Sequence, residues 1–295
     1  MPFADSAGVK LYYEDTGSGE PILFLHEFAG DHRSWEAQVR HFSRTHRCIV
    51  MSSRGYPPSD VPHDETKYNQ NIATDDAIAV LDHLSIDAAV IVGLSMGAYT
   101  ALKVGMQYPE RVKSIVAASG GAGSFPESLE AFRADAHGMA DEMIKNNSVP
   151  ADGFASGPTR IQFRPKDPRG WQEFREHLAE HSPVGSALTL RKIQAGRPSL
   201  YDFKDDFNAL TSAVLLMVGD EDDPCLEVNL FLKRNIARAG LAVVPKSGHL
   251  LNLEDPANFN RMLADFLSMV EHDAWPARAI SDKPFAGVGV RQETE

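Results

Sequence analysis

The chain has 295 residues and carries a net charge of −12, from 29 basic and 41 acidic side chains. Hydrophobic residues make up 43% and charged residues 24%, a balance that excludes disordered, fibrous and collagen-like proteins. No apolar stretch approaches the ~20 residues that cross a bilayer, and the first residues do not have the pattern of a secretory signal. The negative charge disfavours nucleic acid and anionic membrane as partners. Two cysteines are too few for a disulfide framework, so we expect reduced thiols in a cytoplasmic protein.

Short apolar runs alternate with segments of helical periodicity along the first 121 residues. An alternating strand is predicted at 9–13. Continuous apolar runs are typical of strands buried on both faces of a parallel sheet, and they occur at 22–25, 48–51, 88–92 and 114–118. Segments with helical spacing lie between these runs, at 33–44, 70–84 and 96–107. Strand alternating with helix predicts the α/β class, with a doubly wound, mostly parallel sheet.

The alternation stops at about residue 121. The following residues predict helices and no strong strand, with helical patches at 127–145, 169–181 and 183–195. Strands resume at 213–218 and 241–244, and a last amphipathic helix is predicted at 256–271. These boundaries predict a core in two parts (1–121 and 208–272), a helical lid at 122–207 inserted before the strand at 213–218, and a tail at 273–295. The tail is expected to be loose or to contact a second copy, which leaves a homo-oligomer open.

One pentapeptide places a serine between two glycines: Gly93-Leu94-Ser95-Met96-Gly97. It directly follows a predicted strand and opens a predicted helix, which is the strand–turn–helix setting of a nucleophile elbow. A turn of this kind holds the serine Oγ above the sheet at a helix N-terminus. The alternative is a Gly/Ser turn that only caps the helix. The setting favours Ser95 as a nucleophile.

A serine hydroxyl needs a base, and the base needs an acid that orients it. His249 follows the last predicted strand, and loops at the carboxyl ends of parallel strands converge on one crevice. The acid is expected in the acidic run at 220–223, which follows the preceding strand. Four carboxylates cannot all be buried and paired there, so the residues alone leave the choice among them open. The chain order of serine, acid and histidine is typical of a nucleophile-elbow enzyme.

With these motifs in order, residues 8–271 resemble the α/β-hydrolase superfamily, in its branch with a serine nucleophile. The segment 25–30 is similar to the family's His-Gly-x oxyanion loop, and 53–59 to its Asp-x-Arg-Gly-x-Gly-x-Ser turn. The segment 247–256 is similar to its Gly-His…Glu-x-Pro ending. In the family the acid usually lies three residues after the glycine of the acid loop, which implies Asp222 rather than Asp220 or Asp223.

The resemblance also implies an oxyanion hole formed by the backbone N–H groups of Phe28 and Met96. Glu27 stands where the family has glycine. We expect its carboxylate to turn aside and to bind nearby backbone or an arginine. The alternative places Glu27 in the substrate pocket, where it would disfavour anionic substrates or position a water. His26 and Arg191 are further candidates for the pocket, with solvated surface as the alternative for Arg191.

The resemblance is closest to small bacterial esterases, enol-lactonases and cofactor-free haloperoxidase-like hydrolases. It implies cleavage of a small ester or lactone through an acyl-enzyme. A hydrolase of carbon–carbon bonds in ring-cleavage products would use the same three residues, and a ligand-binding receptor on this fold is a further alternative. No metal site is predicted, because no second ligand lies at useful spacing. No cofactor is expected either, since the first strand–helix turn lacks Gly-x-Gly-x-x-Gly.

Overall fold

The computed structural model describes residues 2–280. Their strands form one sheet in the order β1-β2-β4-β3-β5-β6-β7-β8. The strands are β1 (Phe3–Ser6), β2 (Val9–Gly17), β3 (Glu20–Leu25), β4 (His46–Met51), β5 (Ala89–Leu94), β6 (Val112–Ala118), β7 (Ala213–Gly219) and β8 (Ala239–Val244). Strands β4-β3-β5-β6-β7-β8 pair in parallel, whereas β2 and β1 extend one edge antiparallel. The predicted doubly wound, mostly parallel sheet is confirmed, and β1 is a strand that the sequence pattern did not predict.

Successive residues of the central strands face opposite sides of the sheet, so both faces need a cover. Leu23 belongs to one apolar cluster and its neighbour Phe24 to the other. On the Leu23 side the cover comes from α2 (Gln70–His83), α3 (Met96–Gln107) and α10 (Asp223–Asn235). On the Phe24 side it comes from α1 (Glu36–Phe42) and α12 (Pro256–Glu271). Burial on both sides explains why these strands are continuously apolar.

Helices occupy the segment between β6 and β7. They are α4 (Leu129–Asn146), α5 (Ala151–Ala155), α6 (Phe163–Lys166), α7 (Pro168–Ala179), α8 (Pro183–Thr189) and α9 (Lys204–Ala209). The helix predicted at 183–195 differs in its second half, where Leu190–Gln194 form a π-helix. There the Ala195 N–H donates to the Leu190 carbonyl at 2.8 Å. The apolar periodicity continues through this change, so sequence spacing alone does not reveal it.

The predicted tail is described only in its first part. Trp275 lies over Gly240 of β8, and its Nε1 donates to the Arg238 carbonyl at 2.8 Å. The Arg278 N–H donates to the Ala237 carbonyl at 3.0 Å. The rest of the predicted tail, 281–295, lies outside the described residues. Among the helices described, none is both long and apolar enough to span a membrane.

The order of the strands places the site. The chain adds β4 on one side of β3 and then returns to place β5 on the other side. At such a reversal, the loops after the two adjacent strands diverge and leave a crevice at the carboxyl edge of the sheet. The loop after β3 carries residues 26–31, and the turn after β5 carries Ser95.

Candidate active site

The turn at Ser95 is tight and strained. Ser95 has φ 54° and ψ −108°, a conformation that L-residues rarely adopt and that proteins keep mainly at functional sites. A Cβ on Gly93 would lie 2.1 Å from the Gly97 carbonyl oxygen, and one on Gly97 would lie 2.0 Å from the Leu25 carbonyl oxygen. Both glycines are therefore required for the turn to pass close to its neighbours. Met96 follows as the first residue of α3, where an N–H has no acceptor within the helix.

His249 and Asp222 form a buried hydrogen-bonded pair. His249 Nδ1 lies 2.9 Å from Asp222 Oδ2, and the two residues are 4% and 1% exposed. The neighbouring acids have other positions, since Asp220 Oδ1 accepts from the Ser247 N–H at 3.2 Å and Asp223 is an exposed residue at the start of α10. Asp222 is thus the member of the acidic run that binds the imidazole.

The loop that carries His249 is held by a second buried carboxylate and by the helical segment. Glu254 accepts from the N–H groups of Gly248 and Leu250 at 3.1 Å each, on Oε2 and Oε1 respectively. Lys166 of α6 donates to Glu254 Oε2, also at 3.1 Å. The His249 N–H donates to the Thr159 carbonyl at 2.6 Å. These bonds leave the His249 backbone little freedom, which favours one orientation of the ring.

Glu27 lies beside His249 and is paired with an arginine that the sequence analysis did not single out. Its Oε2 accepts from Arg160 Nη2 at 2.5 Å and lies 3.8 Å from His249 Nε2. Burial by itself raises the pKa of Glu27, but the Arg160 guanidinium and His249 outweigh it and hold the pKa below its ordinary value. Glu27 is thus an ionised buried carboxylate that is bound to an arginine and also lies close to His249. Arg160 lies 133 residues away along the chain, and no local motif marks it.

Ser95, Asp222 and His249 line one cavity of about 180 Å³ together with Phe28 and Arg160. Apolar side chains form much of the remaining wall, namely Phe132, Ala136, Met139, Phe154 and Leu190. Among the residues described, Arg160 is the one cationic side chain that lines this cavity. The structure therefore brings the predicted nucleophile, base and acid to one pocket that is mainly apolar.

Two of the candidate pocket residues lie elsewhere. Arg191 pairs with Asp141 of α4 and does not line the cavity that contains Ser95. His26 is 1% exposed and is held between two backbone groups. Its Nδ1 donates to the Glu27 carbonyl at 2.6 Å, and its Nε2 accepts from the Ser53 N–H at 3.0 Å. His26 therefore braces the loop after β3 against the loop after β4.

This arrangement predicts an acid-sensitive fold. Burial lowers the pKa of His26 to about 4, against about 6.5 in the unfolded chain. Between pH 6.5 and pH 4 the unfolded state binds more protons, so His26 should lower the free energy of unfolding by up to about 3 kcal/mol as the pH falls through this window. Urea unfolding at several pH values checks this. The free energy of unfolding should depend less steeply on pH in His26→Asn than in the wild type. The control His63→Asn, at an exposed position, should keep the wild-type dependence. The same pH dependence in the wild type and both variants would contradict the role given to His26.

Three atoms that could ligate a metal lie within 4.8 Å of one another, from Asp222, Cys225 and His249. Two of these residues bind each other, and Cys225 Sγ donates to the Ser119 carbonyl at 3.3 Å. Burial raises the pKa of the Cys225 thiol well above its ordinary value, whereas a metal binds the thiolate. This set of donors fits an acid–base pair better than a metal centre.

The comparisons with known proteins agree with the fold. A family model described as "alpha/beta hydrolase fold" matches residues 20–256. The chain therefore belongs to the α/β-hydrolase family, and it is a hydrolase.

Relatives within this family are named as hydrolases of different kinds. The chain is 27% identical over 275 residues to 2-hydroxymuconate semialdehyde hydrolase of Pseudomonas sp. (strain CF600), covering 89% of this chain and 92% of that protein. It is 27% identical over 254 residues to 3-oxoadipate enol-lactonase 1 of Acinetobacter baylyi, covering 85% and 89%. Among solved structures, a thermophilic esterase from Thermogutta terrifontis is 26% identical, with a TM-score of 0.73 and coverage of 92% and 97%.

Proposed function

We propose that the protein cleaves a small carboxylic ester or lactone through an acyl-enzyme on Ser95. The observation that carries this proposal is the buried His249–Asp222 pair, which lines the same cavity as a serine in a strained strand–helix turn. Nucleophile, base and orienting acid in one pocket are the minimum set for acyl transfer by serine. The esterase and enol-lactonase relatives support the same bond type.

The proposed reaction has two stages, acylation of Ser95 and hydrolysis of the acyl-enzyme. Ser95 Oγ attacks the carbonyl carbon while His249 Nε2 takes its proton, and Asp222 at Nδ1 holds the tautomer and stabilises the imidazolium. The Phe28 and Met96 N–H groups are proposed to bind the oxyanion, each worth about 3–4 kcal/mol in the transition state. The intermediate expels the alcohol oxygen, which receives the proton from His249. Water then attacks the acyl-enzyme with His249 as base, which releases the acid and restores Ser95.

We propose that residues 122–207 act as a lid over this pocket. Three contacts of this segment reach the catalytic loops: Arg160 binds Glu27, the Thr159 carbonyl accepts from the His249 N–H, and Lys166 binds Glu254. Phe132, Phe154 and Leu190, all from the same segment, form apolar wall. The segment thus both closes the pocket and fixes the His249 loop, so its side chains set which acyl or alcohol groups fit.

Carbon–carbon bond hydrolysis is the second candidate, because the relative from Pseudomonas is named as a hydrolase of a semialdehyde. A ring-cleavage product carries a carboxylate and a dienol, so its binding needs a free cationic or polar wall. Here Arg160 is already bound by Glu27, and the wall is mainly apolar. This observation favours the ester or lactone.

A substrate panel tests the proposal. We expect multiple turnover of p-nitrophenyl esters with short or medium acyl chains, because the cavity is small and apolar, and of simple lactones. A vinylogous diketone of the ring-cleavage type should be hydrolysed at least tenfold less efficiently. Turnover is followed by p-nitrophenol release, by acid production for the lactones and by loss of absorbance for the diketone. A preference for the diketone would replace the proposal with carbon–carbon hydrolysis, and the absence of any turnover would favour a receptor.

A further inference from the structure

Among the described residues, one guanidinium lines the pocket of Ser95, and a carboxylate of the same chain is bound to it. Glu27 Oε2 binds Arg160 Nη2 at 2.5 Å, and Glu27 is 1% exposed. Glu27 Oε1 has no hydrogen-bond partner among the described residues, so this carboxylate has capacity left after binding Arg160. Arg160 Nε also has no hydrogen-bond partner among the described residues. A substrate carboxylate that approached Arg160 would nevertheless become a second anion buried beside Glu27, with one guanidinium to balance both charges, which is costly at low dielectric.

A neighbouring cavity adds negative charge. This outer cavity has a volume of about 510 Å³ and shares Ala122, Phe132, Asp135 and Pro224 with the pocket of Ser95. Asp135, Asp223 and Glu227 line this outer cavity, and its lining within the described chain contains no lysine or arginine. Charges of one sign along a cleft repel ligands of the same sign and attract those of the opposite sign.

We propose that this enzyme takes uncharged or cationic esters and lactones and rejects substrates with a carboxylate, with Glu27 as the residue that sets this preference through its pair with Arg160. The inference rests on the ester or lactone activity proposed above and specifies its substrate class. Glu27 acts here as a specificity-determining residue: its negative charge balances Arg160, which among the described residues is the one cationic side chain that lines the pocket.

Three acyl chains of matched length separate the classes. They are the p-nitrophenyl esters of hexanoate, of adipate with one free carboxylate, and of 5-(trimethylammonio)pentanoate. For the wild type at pH 7.5 we expect kcat/KM for the adipate ester to be at least tenfold below that for hexanoate. The cationic ester should equal or exceed hexanoate, and added salt should reduce both differences because it screens the charges of the outer cavity.

Substitution of Glu27 tests the mechanism. In Glu27→Gln, Arg160 is released and the ratio of adipate to hexanoate kcat/KM should rise at least tenfold. In Glu27→Gln combined with Arg160→Gln that gain should disappear, because the freed guanidinium is what binds the carboxylate. The ratio cancels any general effect of Glu27 on His249, which lies 3.8 Å from it. An unchanged ratio in a folded Glu27→Gln protein would overturn the assignment to Glu27.

A second pair of variants keeps the test decisive if Glu27→Gln does not fold. Asp135→Asn combined with Glu227→Gln removes two exposed charges of the outer cavity and should raise the same ratio at least threefold. Glu142→Gln is the matched control, since it removes an exposed carboxylate of α4 that lies outside both cavities, and it should leave the ratio unchanged. Equal rates for the adipate and hexanoate esters in the wild type would overturn the substrate class alone. Failure to hydrolyse hexanoate at all would instead overturn the ester activity on which it rests.

Discussion

Ser95→Ala is expected to lower kcat for ester hydrolysis by at least ~10³-fold. The alanine has no oxygen to attack the carbonyl, so the acyl-enzyme cannot form. Residual turnover would come from water held between His249 and the oxyanion donors. The substitution keeps the strained backbone at φ 54° and removes one hydroxyl, so the melting temperature should change little. Steady-state kinetics measure the loss of turnover, and thermal unfolding measures the melting temperature. Labelling by a fluorophosphonate, detected by mass spectrometry, reports whether residue 95 is still nucleophilic.

The control for Ser95→Ala is Ser268→Ala, which removes an exposed hydroxyl from α12. It should retain wild-type turnover and wild-type labelling. A Ser95→Ala protein that kept more than a tenth of the wild-type kcat would show that another group attacks the substrate. If the wild type were labelled at Ser95 but showed no turnover, Ser95 would be reactive and the protein would more closely fit a receptor than an enzyme.

The second large effect is expected for Asp222→Asn, at about 10³–10⁴-fold in kcat, because the amide reverses the hydrogen bond at His249 Nδ1. An asparagine NH₂ facing Nδ1 moves the ring proton to Nε2, the atom that must accept the proton from Ser95. Asparagine has nearly the size of aspartate, so the 2.9 Å contact can still form, but it then has a donor where the carboxylate oxygen was an acceptor. The loss should therefore appear in kcat more than in KM.

Asp220→Asn and Asp223→Asn are the controls, because they neutralise carboxylates of the same acidic run that do not bind the imidazole. Each should cost less than tenfold on an uncharged ester. If Asp220→Asn lowered kcat as much as Asp222→Asn, the assignment of Asp222 as the acid that orients His249 would be wrong.

The apolar pattern predicted the centre of the sheet because burial on both faces demands continuous apolar runs. It did not predict β1 or α10. β1 has only four residues and depends on pairing with β2, which supplies most of its partners. α10 begins inside the acidic run. Its Val228 and Leu232 lie on a buried face because α10 is the crossover that joins the parallel strands β7 and β8. This role is clear only once the pairing of β7 and β8 is known.

The sequence by itself determined the glycine–serine–glycine pattern of the turn at Ser95 and the order of the candidate catalytic loops, since both depend on residues that are close together in the chain. Only the tertiary structure decided which acid binds His249 and what Glu27 does. Asp222 is distinguished from its neighbours by where α10 begins, and Glu27 by an arginine 133 residues away. Pairing across such a distance depends on how the helices between β6 and β7 lie over the sheet, which no local spacing encodes.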